Sequence, residues 1–212
     1  MRSDNSGHRH AGSDFAIFFL ESVRSLRVTA SIFPSSRKLV SALLQPVDFR
    51  SADIIIELGS GTGVISSEIL RRMKPRATLY AIEINPIFVS HVNEKLRDPR
   101  LILIHGDAKH LGMMLRGAGV LRADAVISSL SLTWMHQNDR CSIMKQVAMY
   151  LSNQGVLTQY QYLHACRTPQ WASTLGIPRF RGDEFLRRYF SQVCSESVFW
   201  NLPPAAVYTC RP

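Results

Sequence analysis

The sequence lacks the cysteine, histidine and long apolar patterns of metal, redox and membrane-spanning proteins. Its four cysteines, Cys141, Cys166, Cys194 and Cys210, stand singly, so reduced structural thiols are expected rather than a zinc or redox site. The histidines show no ligand spacing, and no metal is expected. No apolar run approaches the roughly 18 residues that a bilayer span needs. The longest N-terminal run, 15–20, is too short for a signal-peptide core, so a cytoplasmic protein is expected.

Acidic residues are scarce beside basic ones, with 16 Asp and Glu against 25 Lys and Arg and a net charge of +9. Such an excess suits a polyanionic partner, either nucleic acid or an anionic membrane surface, and it also suits mere solubility. The 212 residues are 46% hydrophobic and 19% charged, which is typical of one globular domain. Charge alone does not choose among these partners.

The first 50 residues differ in pattern from the rest of the chain. Residues 1–13 are polar and predict a disordered tail. Residues 14–50 predict two helices, one from Asp14 to about Arg27 and one from Pro34 to about Pro46. The first helix gathers its apolar side chains on one face beside Arg24 and Arg27. That face would serve either as a membrane contact and substrate lid or as a core face packed on the protein's own sheet.

Residues 51–212 predict the ligand-binding domain, because short apolar runs alternate there with helical patterns. Strands are expected at 53–58, 78–84, 101–105, 123–129 and 155–162, helices at 64–73, 86–97 and 138–151, and a turn at 152–155. This alternation is typical of right-handed crossover units, which predicts an α/β fold with a mostly parallel sheet and helices on both faces. A helix near 183–189 and extended segments 193–200 and 205–210 predict an antiparallel hairpin at the C-terminus.

The sharpest motif is the loop Glu57-Leu58-Gly59-Ser60-Gly61-Thr62-Gly63, between a predicted strand and a predicted helix. Its glycines allow a tight turn and close approach of a ligand. Glu83 ends the next strand, at the spacing of an acid that accepts hydrogen bonds from ribose hydroxyls. A dinucleotide site would need Gly-x-Gly-x-x-Gly and no acid near the pyrophosphate. Alternating glycines preceded by Glu57 instead suit a ligand that carries an ammonium and a sulfonium.

The pattern Glu/Asp-x-Gly-x-Gly-x-Gly resembles that of class I methyltransferases. The resemblance implies a Rossmann-like class I methyltransferase fold with a seven-stranded sheet, and S-adenosyl-L-methionine as the cofactor, released as S-adenosyl-L-homocysteine. It implies that the ribose-binding acid is Glu83 and that Asp107 contacts the adenine amine. The full set of implied cofactor contacts is Glu57, Gly59, Ser60, Gly61, Thr62, Gly63, Glu83, Ile84, Gly106, Asp107, Ala108 and Ser128.

The segment after the fourth strand bears on the methyl acceptor. Methyltransferases that act on adenine amines resemble one another in an Asn/Asp-Pro-Pro-aromatic motif there, because the nitrogen lone pair is delocalised and the base must be stacked. Here the position reads Ser128-Ser129-Leu130-Ser131-Leu132, with no amide, proline pair or aromatic residue. An aliphatic amine needs no such motif once it is deprotonated, so a nucleic acid partner is not expected.

A closer resemblance is to the bacterial phospholipid N-methyltransferase family, which methylates phosphatidylethanolamine toward phosphatidylcholine; a near relative methylates ornithine lipids. It is carried by 32–37, the glycine loop, 83–86, 106–108, 128–132, Gln159-Tyr160-Gln161-Tyr162 and Asn201-Leu202-Pro203-Pro204-Ala205. The chain departs from the family's pattern at Ser60, Ser129-Leu130-Ser131 and Leu163-His164, which bears on the headgroup more than on the cofactor. The resemblance implies an aminolipid substrate and a monomer attached peripherally to the anionic inner face of the cell membrane.

Candidate acceptor residues follow from these motifs. Tyr160 and Tyr162 are two apart on a strand and so face the same side. We expect both to be catalytic and substrate-binding, with Tyr162 beside the amine, unless they pack under a helix. Ser35, Ser36 and Leu130 are further substrate-binding candidates, although the two serines also suit an ordinary helix start. Two other functions stay open, an RNA or small-molecule methyltransferase similar to ribosomal RNA adenine dimethyltransferases, and a non-catalytic cofactor-binding protein.

Overall fold

The computed structural model describes residues 34–163, 180–199, 201 and 204–212, so the predicted tail and the predicted helix 14–27 lie outside the described residues. The strands are β1 Ile54–Leu58, β2 Thr78–Glu83, β3 Leu101–His105, β4 Ala123–Ser128, β5 Leu151–Tyr162, β6 Gln192–Val198 and β7 Ala205–Arg211. The α-helices are α1 Pro34–Leu44, α2 Val64–Arg72, α3 Pro86–Lys95, α4 Leu111–Gly117, α5 Gln137–Tyr150 and α6 Gly182–Leu186. No helix in this part of the chain combines the length and apolarity needed to cross a membrane.

The strands form one seven-stranded sheet in the order β3-β2-β1-β4-β5-β7-β6. The pairs β3-β2, β2-β1, β1-β4 and β4-β5 are parallel, whereas β7 runs antiparallel to both β5 and β6. The predicted α/β fold and antiparallel hairpin are therefore confirmed. Because β7 alone is reversed, the carboxyl ends of β1, β2, β3, β4, β5 and β6 all lie along one side of the sheet, hereafter the C-terminal edge.

Helices cover both faces of the sheet, as predicted, because the alternate residues of the central strands are apolar on both sides. One face carries Ile55, Ile127 and Val207 and is covered by apolar side chains of α1 and α2. The other carries Ile56, Val126 and Leu157 and is covered by α4, α5 and α6. The glycine loop therefore follows a strand that is packed on both faces.

Two local features differ from the sequence-based expectation. The helix α4 and the 3-10 turn Ala108–His110 before it were not predicted, because two glycines within Leu111–Gly117 obscure the helical period. The predicted turn at 152–155 is wrong, since these residues belong to β5. The pairing shifts between Ala123↔Leu151 and Ala125↔Val156, so the turn-forming residues are absorbed as a bulge rather than ending the strand.

Candidate cofactor and acceptor site

The loops that follow β1, β3 and β4 are fastened together by main-chain hydrogen bonds at the C-terminal edge. Gly59 N–H donates to the Ile82 carbonyl at 2.8 Å, and Gly106 N–H donates to the Glu83 carbonyl at 2.9 Å. Ser129 N–H donates to the Leu58 carbonyl at 3.0 Å. These bonds extend the strand ladders beyond the strand ends, so three motifs that are distant in sequence become walls of one site.

The three glycines of the loop all adopt left-handed backbone conformations, with φ of 81° at Gly59, 52° at Gly61 and 76° at Gly63. A β-carbon at Gly59 would lie 2.8 Å from the Ser129 hydroxyl oxygen, and one at Gly63 would lie 3.1 Å from side-chain atoms of α3. A β-carbon at Gly61 would meet nothing within 4 Å. Gly59 and Gly63 are therefore required by packing, and Gly61 faces open space where a ligand would approach.

Glu83 joins the loop to the end of β2. Its Oε2 accepts the Gly61 N–H at 2.9 Å, and its Oε1 accepts the Asn85 N–H at 2.8 Å. A carboxylate has about four acceptor positions, so both oxygens retain a lone pair for ribose hydroxyls. The residue predicted as the ribose-binding acid thus also fixes the glycine loop, while Ile84 beside it is 53% exposed and offers an apolar surface.

Glu57 lies between the sheet and α2, and its side chain has no accessible surface. Its Oε2 accepts the Ser66 hydroxyl of α2 at 2.6 Å, while Oε1 has no hydrogen-bond partner among the described residues. Burial raises the pKa of Glu57 to about 7, against the opposing effect of the Ser66 hydrogen bond. A direct contact of Glu57 with the cofactor stays a prediction; the structure places this carboxyl as a support beneath the loop.

Asp107 caps the short 3-10 turn that begins at Ala108. One oxygen accepts the Lys109 N–H at 2.9 Å, and the other lies 3.2 Å from the Lys109 ammonium. This ion pair raises the pKa of Lys109 and keeps the amine charged. Lys109 was not predicted as a site residue, although its position two after Asp107 is that of a cap partner. Contact of Asp107 with an adenine amine stays a prediction.

The segment after β4 is held by glutamines that the sequence analysis quoted but did not assign. Gln159 Nε2 donates to the Leu130 carbonyl at 2.9 Å, and Gln161 Nε2 donates to the Thr133 hydroxyl at 3.1 Å. The Ser129 hydroxyl donates to the Leu58 and Gly59 carbonyls. Leu130 also packs against the position of Gly59. Leu130, which is predicted to bind the methyl-accepting substrate, therefore lies at the same edge as the glycine loop.

Tyr160 and Tyr162 share a face of β5, as expected, with ring centroids 5.6 Å apart in an edge-to-face arrangement. Both are buried in the cluster to which α1 contributes Leu39 and Leu43, so both pack under a helix. Burial raises the pKa of Tyr160 well above its ordinary value, so this phenol is neutral at physiological pH. The catalytic roles stay predictions. Ser35 and Ser36 lie in the first turn of α1, but their side chains are outside the described residues.

The described residues fit the cofactor implied by the motifs. Gly61 opens onto free space, Ser60 Oγ is buried without a partner among the described residues, and Glu83 keeps acceptor capacity beside both. Ser128 is fully buried at the end of β4 with its hydroxyl toward the following segment. Thr62 is also buried within the loop. Such a cradle of main-chain groups and one acid with remaining acceptor capacity suits a nucleoside-bearing ligand.

Comparison with known proteins agrees with this arrangement. Residues 55–155 match a family described as methyltransferase domain. The chain is 26% identical over 199 residues to ornithine lipid N-methyltransferase of Singulisphaera acidiphila, covering 93% of this chain and 96% of that protein. It is 30% identical over 88 residues to ribosomal RNA small subunit methyltransferase A of Geobacter metallireducens, covering 41% of this chain but 31% of that protein.

Solved structures show the same fold. The 1,6-didemethyltoxoflavin-N1-methyltransferase of Burkholderia thailandensis, with 1,6-didemethyltoxoflavin and S-adenosylhomocysteine bound, superposes with a TM-score of 0.67 at 14% identity. The match covers 100% of this chain and 92% of that protein. The superposition shows that the two proteins share a fold.

Proposed function

This chain is an S-adenosylmethionine-dependent methyltransferase, and on that premise we propose that it methylates the amine of a membrane-lipid headgroup. The observation that carries the proposal is the similarity to ornithine lipid N-methyltransferase across nearly the full length of both chains. Phosphatidylethanolamine is the second candidate acceptor, because its headgroup also ends in a primary amine. Methylation there would lead toward phosphatidylcholine.

The reaction requires a neutral amine held in line with the methyl group. When bound, S-adenosylmethionine would supply an electrophilic methyl carbon: the nitrogen lone pair would form the new bond to carbon, and the electron pair of the broken carbon–sulfur bond would remain on sulfur. The positive charge moves to nitrogen, so the protein has little new charge to stabilise and acts mainly by orientation. A partly dry acceptor pocket lowers the pKa of an ammonium by desolvation, which favours the reactive neutral amine.

Peripheral attachment to an anionic membrane is part of the proposal. The predicted N-terminal contact lies outside the described residues, but the C-terminal edge has exposed apolar side chains of its own. Ile84 and Ile87 flank the end of β2, Trp134 follows β4, and Phe199 follows β6 with 64% of its surface exposed. These side chains are spread along the C-terminal edge, which suits a substrate that remains in a bilayer.

The test is label transfer from S-adenosylmethionine carrying a labelled methyl group to vesicles of defined headgroup. Phosphatidylethanolamine and ornithine lipid vesicles are expected to take up label, and phosphatidylglycerol vesicles, which have no amine, are the control. Product masses would show how many methyl groups are added. Absence of label in every amine-bearing lipid would contradict the proposal.

A second candidate function, distinct from lipid methylation, is methylation of RNA. It is favoured by the match of 88 residues to a ribosomal RNA methyltransferase and by the net charge of +9. The segment Ser128–Leu132 opposes an adenine acceptor, since no aromatic residue follows β4 directly. Label recovered in total RNA and absent from lipids would support this function, whereas binding of S-adenosylhomocysteine without turnover on either would identify a non-catalytic protein.

A further inference from the structure

A cavity of about 380 Å³ lies between α1 and α2, outside the cofactor cradle described above. Val64, which lines it, directly follows Gly63, so the cavity begins where the glycine loop ends. Arg37, Glu68 and Arg72 contribute the charged part of its wall. Hydroxyl-bearing side chains from both helices, Ser41 and Ser67, contribute neutral hydrogen-bond donors.

The charges around this cavity favour an anion. Glu68 accepts from Arg71 and Arg72 at 2.7 Å each, and the Arg71 hydrogen bond is the main cause that lowers the pKa of Glu68 to about 2. Its carboxylate therefore stays charged and is balanced by these guanidinium groups. Arg37 makes no ion pair with any described residue. In the wall of the cavity, the guanidinium groups of Arg37 and Arg72 face the single carboxylate of Glu68, which leaves one positive charge uncompensated.

We propose that the cavity between α1 and α2 binds the anionic group of a substrate, a phosphate or a carboxylate, through Arg37 with help from the Ser41 and Ser67 hydroxyls. A guanidinium donates in parallel to two oxygens of such a group, which gives both affinity and orientation. The anion has two candidate sources. The first is the phosphodiester or carboxylate of an aminolipid headgroup, and this source rests on the proposed function. The second source is the methionine carboxylate of the cofactor.

The experiment compares Arg37→Gln with Lys38→Gln. Both variants remove one positive charge from the N-terminal half of α1, but Lys38 does not line the cavity. Binding is measured by NMR titration with glycerophosphoethanolamine and N-acetylornithine, which carry amine and anion, and with ethanolamine, which lacks the anion. Affinity for S-adenosylhomocysteine is measured by calorimetry on the same full-length proteins. Circular dichroism confirms that both variants fold.

If the headgroup supplies the anion, Arg37→Gln weakens binding of the two anionic probes about tenfold or more, leaves ethanolamine unchanged and leaves S-adenosylhomocysteine unchanged. If the cofactor supplies the anion, the same variant weakens the binding of S-adenosylhomocysteine by a similar factor and leaves the affinity for the two anionic probes unchanged. Either result supports the cavity as an anion site. Equal behaviour of Arg37→Gln and Lys38→Gln toward every ligand overturns it.

Vesicle methylation by the same proteins separates this inference from the proposed function. Methylation of aminolipids with unchanged kinetics in Arg37→Gln overturns the anion site and leaves the lipid function intact. Probe binding that depends on Arg37, in a protein that methylates no aminolipid, supports the anion site and contradicts the lipid function.

Discussion

A buried carboxyl beneath a ligand loop makes the stability of this protein depend on pH. The Glu57 carboxyl ionises near pH 4.5 in the unfolded chain and near pH 7 in the folded one, because burial disfavours the charge. Its contribution is therefore fully present below about pH 4.5 and is lost as the pH rises through about 7. The loss amounts to something on the order of 3 kcal/mol.

Replacing Glu57 with Gln is expected to remove that dependence while preserving side-chain volume and an acceptor for Ser66. Urea unfolding at pH 5 and pH 8 measures it: the free energy of unfolding should fall with pH more steeply in the wild type than in Glu57→Gln. The exposed Glu94→Gln is the matched control and should follow the wild type. Equal pH dependence in all three proteins would contradict the assigned role of burial.

Substitutions at different glycines of the loop are expected to affect ligand binding and stability to different degrees. Gly61→Ala is expected to weaken S-adenosylhomocysteine binding more than tenfold, because the added carbon stands in the open space of the cradle. Its left-handed backbone costs about 1–2 kcal/mol of stability. Gly59→Ala should cost more, because its new carbon would also strike the Ser129 hydroxyl. Calorimetry and thermal unfolding check both, with Gly117→Ala, which also meets nothing within 4 Å, as the control.

The tyrosine pair supplies a test of the proposed acceptor role. Tyr162 stands at the end of β5, nearer to the C-terminal edge than Tyr160, so Tyr162→Phe is expected to lower kcat on aminolipid vesicles roughly tenfold or more. The affinity for S-adenosylhomocysteine should not change. Tyr160→Phe removes a hydroxyl from the interior and is expected to affect stability more than kcat. Unchanged kcat in Tyr162→Phe would show that this tyrosine only packs against α1.

At the scale of elements, the sequence indicates the strands and most helices because burial imposes a clear period on each. The helix Val64–Arg72 and the strand Leu101–His105 are expected within one residue of their observed ends. Contacts between side chains of different elements are harder to predict from the sequence. Nothing in the spacing of Gln159 tells that its amide holds the segment after β4, because that pairing depends on two strands lying side by side.

The link from β5 to the segment after β4 is expected to control turnover more than cofactor affinity. Gln159→Leu removes the donor to the Leu130 carbonyl and should lower stability by about 1–3 kcal/mol, because that carbonyl loses its side-chain partner. A misplaced Leu130 should lower kcat roughly ten- to a hundredfold. Chemical unfolding and vesicle methylation measure the two effects. The exposed Gln192→Leu is the control, and similar kcat in both variants would contradict the link.

For the whole molecule, the C-terminal edge of the sheet carries the glycine loop, the segment after β4 and a group of exposed apolar side chains. Phe199→Ser is expected to reduce binding to anionic vesicles about tenfold or more, since burying one large apolar side chain contributes about 1.5–3 kcal/mol. Vesicle sedimentation measures it. Leu121→Ser is the control, because Leu121 is 83% exposed but precedes β4 and so lies at the opposite edge. Equal losses in both variants would contradict attachment through the C-terminal edge.

The sequence predicts the overall architecture, whereas the role of each residue within the site depends on contacts that form only in the folded protein. Alternating strands and helices predict a parallel sheet, and the glycine pattern predicts which edge binds the ligand. The structure adds that Glu57 supports the loop from inside the protein and that Asp107 pairs with Lys109, while contact of either acid with the cofactor stays a prediction. Such roles depend on which atoms water reaches, and a linear pattern does not contain that information.

The hydrogen bonds from Gly59, Gly106 and Ser129 to neighbouring strand ends join main-chain atoms only. Gly59 and Gly106 have no room for a side chain, but the bonds do not depend on the chemistry of the residues around them, so substitutions that spare these glycines leave the bonds in place. Acceptor preference and cofactor retention are thereby free to evolve at different rates, the first through residues such as Leu130 and the second through a framework that most substitutions leave untouched.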